Sequence, residues 1–102
     1  MKKPPILAIV VPCYNEELVI RETANQLVHI QKKLVDNNVI SKNSHICFVD
    51  DGSKDNTWDI ISRLSRQKTN IFGIKLSHNS GHQNALLAGL LNIRKNADCV
   101  IS

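Results

Sequence analysis

Short runs of consecutive apolar residues alternate along this chain with longer stretches in which apolar positions recur every three or four residues. The first run, Leu7-Ala8-Ile9-Val10-Val11, is apolar without a break, as expected for a parallel strand covered on both faces. Pro12 is expected to stop it. From Glu17 to about Asn37, the residues Ile20, Ala24, Leu27, Val28, Leu34 and Val35 fall on one helical face with charged residues between them. A turn over Asn37-Asn38 and Ser41 to Ser44 leads to a second buried run, Ile46-Cys47-Phe48-Val49, which ends in Asp50-Asp51-Gly52-Ser53. A second helix is predicted to start near Ser53 or Asp55, both good N-cap residues, with Trp58, Ile61 and Leu64 on its inner face. Ile71 to Leu76 reads as a third strand, slightly weakened by Gly73. A third helix is predicted from about His82 to Lys95, with Leu86, Leu90 and Ile93 inward and Gly89 admitting close packing. Cys99-Val100-Ile101 begins a fourth strand.

This β-α-β-α-β-α-β order predicts an α/β fold, a three-layer α/β/α arrangement around a mostly parallel sheet. No internal repeat or low-complexity segment marks a linker, so residues 1–102 read as part of one domain. Right-handed crossovers put the three strand-to-helix loops on the carboxyl edge of the sheet, where ligands of such folds sit.

Composition narrows the function classes. Thirteen Lys and Arg against nine Asp and Glu give a net charge of +4, dispersed along the chain, and one Trp, one Tyr and two Phe leave no basic stripe interleaved with stacking groups. Nucleic-acid binding is not expected. Cys13, Cys47 and Cys99 lie in or beside apolar runs without the close pairs of a zinc or redox motif, and read as reduced thiols of a cytoplasmic protein. The apolar run after Lys2 and Lys3 is too short for a signal peptide. No stretch approaches the roughly 20 apolar residues of a membrane span.

Three polar clusters fall on the carboxyl-edge loops: Pro12-Cys13-Tyr14-Asn15-Glu16-Glu17, Asp50 to Thr57, and His78 to Asn84. A strand that ends in an acid can aim a carboxylate at a base N–H or at ribose hydroxyls, and a nearby tyrosine offers a planar apolar face with a hydroxyl. In the first cluster, a strand-ending proline, a surface tyrosine and two acids at a helix start explain the residues equally well. In the second, Asp-Gly and Asp-Asn are ordinary turn pairs. However, Asp50 and Asp51 are adjacent carboxylates that repel one another. That favours function, with one acid facing ligand and the other holding the loop. In the third, Gly81 before a helix start either lets the backbone approach a phosphate or simply makes a turn. His78 and His82 lack a third ligand for zinc.

Taken together, Val11-Pro12-Cys13-Tyr14-Asn15-Glu16-Glu17, Val49-Asp50-Asp51-Gly52-Ser53-Lys54-Asp55-Asn56-Thr57 and Asn79-Ser80-Gly81-His82-Gln83-Asn84-Ala85-Leu86 resemble family 2 glycosyltransferases of the GT-A fold. Within that family the resemblance is to the dolichol-phosphate mannosyltransferase and undecaprenyl-phosphate glucosyltransferase branch, and it spans nearly the whole chain. It implies the Rossmann-like, nucleotide-sugar-binding half of the fold. The implied reaction is inverting transfer of a sugar from a UDP- or GDP-sugar to a lipid-phosphate or glycan acceptor, with Mg²⁺ or Mn²⁺ bridging the diphosphate. By position, Pro12, Tyr14 and Glu16 resemble base and ribose contacts, Asp50 the nucleoside-binding acid and Asp51 a structural acid, while Gly81, His82 and Gln83 match a loop near the nucleotide. The family's Asp-x-Asp metal motif and catalytic base have no counterpart up to Ser102, the last residue. The resemblance therefore implies that this chain holds no catalytic residue or metal ligand, and that it is inactive alone. The whole protein is expected at the cytoplasmic face of a membrane.

Two other readings remain open at this level. One is a non-catalytic nucleotide-binding or regulatory α/β module. The other is a fragment whose exposed sheet edge pairs with a second copy, giving a homo-oligomer.

Overall fold

The structure, a computed structural model, describes residues 3–79, 81–93 and 97–101. Seven elements follow one another: β1 (Leu7–Cys13), α1 (Ile20–Asp36), β2 (His45–Asp50), α2 (Thr57–Gln67), β3 (Ile71–Lys75), α3 (His82–Ile93) and β4 (Cys99–Ile101). The strands pair in the order β3-β2-β1-β4, all parallel. From β1 the chain steps outward to β2 and β3, then crosses back to place β4 on the other flank of β1. The order reverses between β1 and β4, and in open α/β sheets the crevice at the carboxyl end of such a reversal is where ligands bind.

Strand alternation sorts the core into two layers. Leu7, Ile9 and Cys13 of β1 and Ile46 and Phe48 of β2 pack with Ile20 and Ala24 of α1 and with Ile60, Ile61 and Leu64 of α2. On the opposite face, Ala8 and Val10 of β1 and Cys47 and Val49 of β2 pack with Ala85 of α3. Both faces of the central strands are thus covered, as their unbroken apolar runs require.

Pro12 does not end β1, which continues to Cys13. The Cys13 carbonyl accepts the Asp51 N–H at 2.8 Å and so faces β2. Alternation turns the Pro12 backbone toward the β4 side, where the described pairing has already stopped at Ile9. Among the described residues, the missing N–H therefore costs no ladder bond.

Two helix starts also differ from the sequence expectation. Instead of beginning at Glu17, α1 begins at Ile20, after a turn in which the Glu16 carbonyl accepts the Val19 and Ile20 N–H groups, while the N–H groups of Glu16 and Glu17 are held by Thr57 and Asp55 of the next loop. The first residue of α2 is Thr57, and its N-cap residue Asn56 makes no side-chain cap bond. Asp55 instead accepts the Thr57 N–H at 2.9 Å. One polar residue, Gln31, interrupts the inner face of α1; it is buried, and its Oε1 accepts a bond from Asn70 Nδ2 at 2.7 Å.

The close packing expected at Gly89 is present. A Cβ there would lie 2.5 Å from Val10 Cγ1 and 2.9 Å from Val49 Cγ2. Alanine gains about 1 kcal/mol of helix propensity, but overpacking against two stiff β-branched side chains costs about 1–3 kcal/mol. Gly89→Ala is therefore expected to lower stability by about 1 kcal/mol in chemical denaturation, and a stabilised variant would contradict the packing.

Candidate functional site

β1 and β2 leave the sheet in register, with Cys13 opposite Asp50, so their loops start side by side. Asn15 takes a left-handed conformation (φ 53°), which asparagine tolerates better than most residues. Its N–H donates to Ser53 Oγ at 2.9 Å, and its Oδ1 accepts the Lys54 N–H at 2.8 Å. One residue on, the Glu16 N–H donates to Thr57 Oγ1 at 2.8 Å, and the Glu17 N–H donates to Asp55 Oδ2 at 3.2 Å. Asp55 Oδ1 accepts both the Thr57 N–H, at 2.9 Å, and its hydroxyl, at 2.5 Å.

The third loop is tied to the second. The Gly81 N–H donates to Asp51 Oδ2 at 3.1 Å and to Asn79 Oδ1 at 3.0 Å. Gly52 (φ 72°) lies so close to the His78–Asn79 backbone that a Cβ would sit 2.5 Å from His78 C and from Asn79 N. All three carboxyl-edge loops thus form one hydrogen-bonded platform.

On this platform Tyr14 is 38% exposed, Glu16 is exposed and Pro12 is half-buried. Pro12, Cys13 and Glu16, with Val19, Ile20 and Thr23 of the α1 start, line a cleft of about 140 Å³. A larger hollow of about 700 Å³, lined by Lys3, Lys42, Asn43 and Asp98 among others, opens at the amino-terminal edge. Volume favours that hollow, but the loops that carry the polar clusters and the strand-order reversal favour the carboxyl edge, and position decides.

The adjacent acids are sorted by the strand pleat. Asp50 is wholly enclosed on the α1/α2 side beside Cys13, with Oδ1 accepting the Ser53 N–H at 3.2 Å and Oδ2 buried without a hydrogen-bond partner. Asp51 keeps 4% exposure and reaches across to Gly81 at the start of α3. The Gly81 N–H, which could have met a phosphate, is therefore engaged, and its φ of 96° is that of a turn glycine. Gln83 lies in the first turn of α3; its side chain is outside the described residues. Sequence reasoning singled out the loops but not the bonds between them. The Asn15 and Asp55-x-Thr57 positions carried the signal, since these side chains readily bond nearby backbone.

Charge at the site follows the same geometry. Partial desolvation alone would raise the Asp55 carboxyl, but the bonds from the Thr57 hydroxyl and from the N–H groups of Thr57 and Glu17 outweigh it and hold it below its ordinary value. Burial, reinforced by the negative charges of Glu16 and Asp50, pushes the Cys13 thiol up to about 12, and burial pushes Cys47 up to about 11. In the unfolded chain such thiols ionise near 9.0, so above that pH the unfolded state binds fewer protons than the folded one. Stability is expected to fall as pH rises from about 9 toward 11, with a shallower slope in Cys13→Ala; equal slopes in denaturation series would contradict this.

Among the described residues no group of three or more His, Cys, Asp or Glu is placed to hold a metal ion, and His78 Nδ1 lies 3.0 Å from Ser77 Oγ. The described residues do not fit a divalent metal. No helix among the described residues is long and apolar enough to cross a membrane.

The fold and its loop platform define a parallel, Rossmann-like half of the GT-A architecture. It superimposes on the mannosyltransferase PcManGT from Pyrobaculum calidifontis, solved with GDP-Man and Mn²⁺, with a TM-score of 0.70 at 20% identity over 87% of this chain and 24% of that one. Against the S. aureus TarS 1-349 structure the TM-score is 0.66 at 26% identity, over 93% of this chain and 26% of that one. Residues 8–101 match glycosyl transferase family 2, and the chain belongs to that family. It is 50% identical over 98 residues to the uncharacterized glycosyltransferase YkoT of Bacillus subtilis (strain 168), covering 96% of this chain and 29% of YkoT. It is also 32% identical to an undecaprenyl-phosphate 4-deoxy-4-formamido-L-arabinose transferase of Shewanella sediminis (strain HAW-EB3), over 86% of this chain and 25% of the relative. The chain thus spans less than a third of the length of these relatives.

Proposed function

We propose that this chain is the nucleotide-recognising part of a glycosyltransferase that moves a sugar from a UDP- or GDP-sugar, with inversion, to a polyprenyl phosphate at a membrane. The observation that carries this reading is the platform at the carboxyl edge: the loops after β1 and β2 are bonded to one another beside the β1/β4 reversal. PcManGT, solved with GDP-Man and Mn²⁺, and TarS, solved with UDP, supply the ligand class. The acceptor class comes from relatives described as undecaprenyl-phosphate and dolichyl-phosphate transferases.

In this reading Tyr14 gives the base or ribose an accessible planar face, while Pro12 and Glu16 border the adjoining cleft. Asp51, just past β2, keeps slight exposure where Asp50 keeps none, and accepts a base N–H or ribose hydroxyl. Asp50 acts beneath it, holding the Ser53 turn. Gly81 and Gln83 lie at the α3 start, where the helix's positive end favours the diphosphate. Metal ligands and the catalytic base are supplied from outside these residues. Titration of the chain with UDP and GDP, followed through Tyr14 and Trp58 fluorescence, tests the reading: saturable quenching by one of them is expected, and no response to either would contradict it.

A further inference from the structure

We infer that Thr57 and Asp55 form a positioning unit that sets the Tyr14–Glu16 backbone for nucleotide binding, an inference that rests on the reading above. Thr57 is completely buried, on the same inner face of α2 as Ile60, Ile61 and Leu64. Its hydroxyl has two directed tasks: it accepts the Glu16 N–H at 2.8 Å and donates to Asp55 Oδ1 at 2.5 Å. The other oxygen of Asp55 accepts the Glu17 N–H at 3.2 Å.

Two consecutive amides of the first loop, 41 and 38 residues away in sequence, thus end on one threonine–carboxylate pair. A hydroxyl that must donate one bond and accept another has a fixed orientation. The carboxylate that fixes it is held in its charged form by those same bonds. The consequence is local. The Glu16 and Glu17 amides are anchored to the second loop, just ahead of the turn in which the Glu16 carbonyl accepts the Val19 and Ile20 N–H groups and which leads into α1 at Ile20. Neither Thr57 nor Asp55 need touch the nucleotide; both act through the backbone of residues that border the cleft.

The test compares Thr57→Val, which keeps the shape and removes the hydroxyl, with Thr57→Ser, which keeps the hydroxyl. UDP and GDP affinities are measured per folded molecule in the full chain, and the Glu16 amide proton is followed by NMR without ligand. Losing a directing bond to a binding loop is expected to weaken affinity about tenfold in Thr57→Val, with an upfield shift of the Glu16 amide. Thr57→Ser is expected to stay within about threefold of the parent and to keep the amide shift. A parent chain that binds while Thr57→Val binds equally well would overturn this inference alone, as would an affinity loss that serine does not restore. A parent chain that binds neither nucleotide would overturn the functional reading and this inference with it.

Discussion

Gly52→Ala is expected to lower the melting temperature by roughly 15 °C, since about 3 kcal/mol in a domain of this length corresponds to a shift of that order. Two separate costs add. An alanine held at the observed φ of 72° costs about 1–2 kcal/mol. Its Cβ would also lie 2.5–2.8 Å from backbone atoms of His78 and Asn79, which must move by displacing the whole β3–α3 loop, at about 1–3 kcal/mol. Gly52→Asn separates the two terms: asparagine tolerates the left-handed backbone but keeps a Cβ, so it should recover only part of the loss. A Gly52→Ala chain that melts within about 3 °C of the parent would contradict both the left-handed backbone at Gly52 and its close approach to the third loop.

Asp51→Asn is expected to weaken UDP or GDP binding by about tenfold or more, because a hydrogen bond to a charged acceptor contributes about 1.5–3 kcal/mol. Asparagine still offers Oδ1 to the Gly81 N–H, now 3.1 Å from Asp51 Oδ2, so the loop contact should survive. Asp50→Asn should leave the affinity within about threefold of the parent, because Asp50 is fully enclosed and its unpartnered Oδ2 is closed to solvent. It should also cost little stability, since one buried charge is removed while an acceptor remains for the Ser53 N–H. Calorimetric titration of the two variants side by side decides between the acids. A loss confined to Asp50→Asn would assign the ligand to the acid that the sequence resemblance had favoured.

Much of the fold was legible because it is written locally. Runs such as Leu7–Val11 and Ile46–Val49 can be buried on both faces only in a parallel sheet, and Gly89 in an apolar helix already implied a close neighbour. Features that depend on distant partners were not legible. The capture of the Glu16 and Glu17 amides by Thr57 and Asp55 lies beyond the reach of any helical periodicity. The burial of Gln31 depends on Asn70, 39 residues on. Pro12 reads as a strand breaker until the register shows that its backbone faces away from β2. In the site, composition placed two acids at the end of β2, but only the pleat shows that Asp50 turns toward Cys13 and Asp51 toward Gly81. The β-α alternation and right-handed crossovers located the loops at the carboxyl edge; what binds them to one another emerged from the side-chain geometry.

Amide NMR of the chain titrated with UDP and GDP tests the central claim most directly, because it reports where a nucleotide binds as well as whether it does. The account predicts saturable shifts concentrated at Tyr14, Asn15, Glu16, Asp51 and Gly52, with the amino-terminal edge around Lys42 and Asn43 unmoved. Shifts confined to that opposite edge, or none at saturating nucleotide, would contradict it.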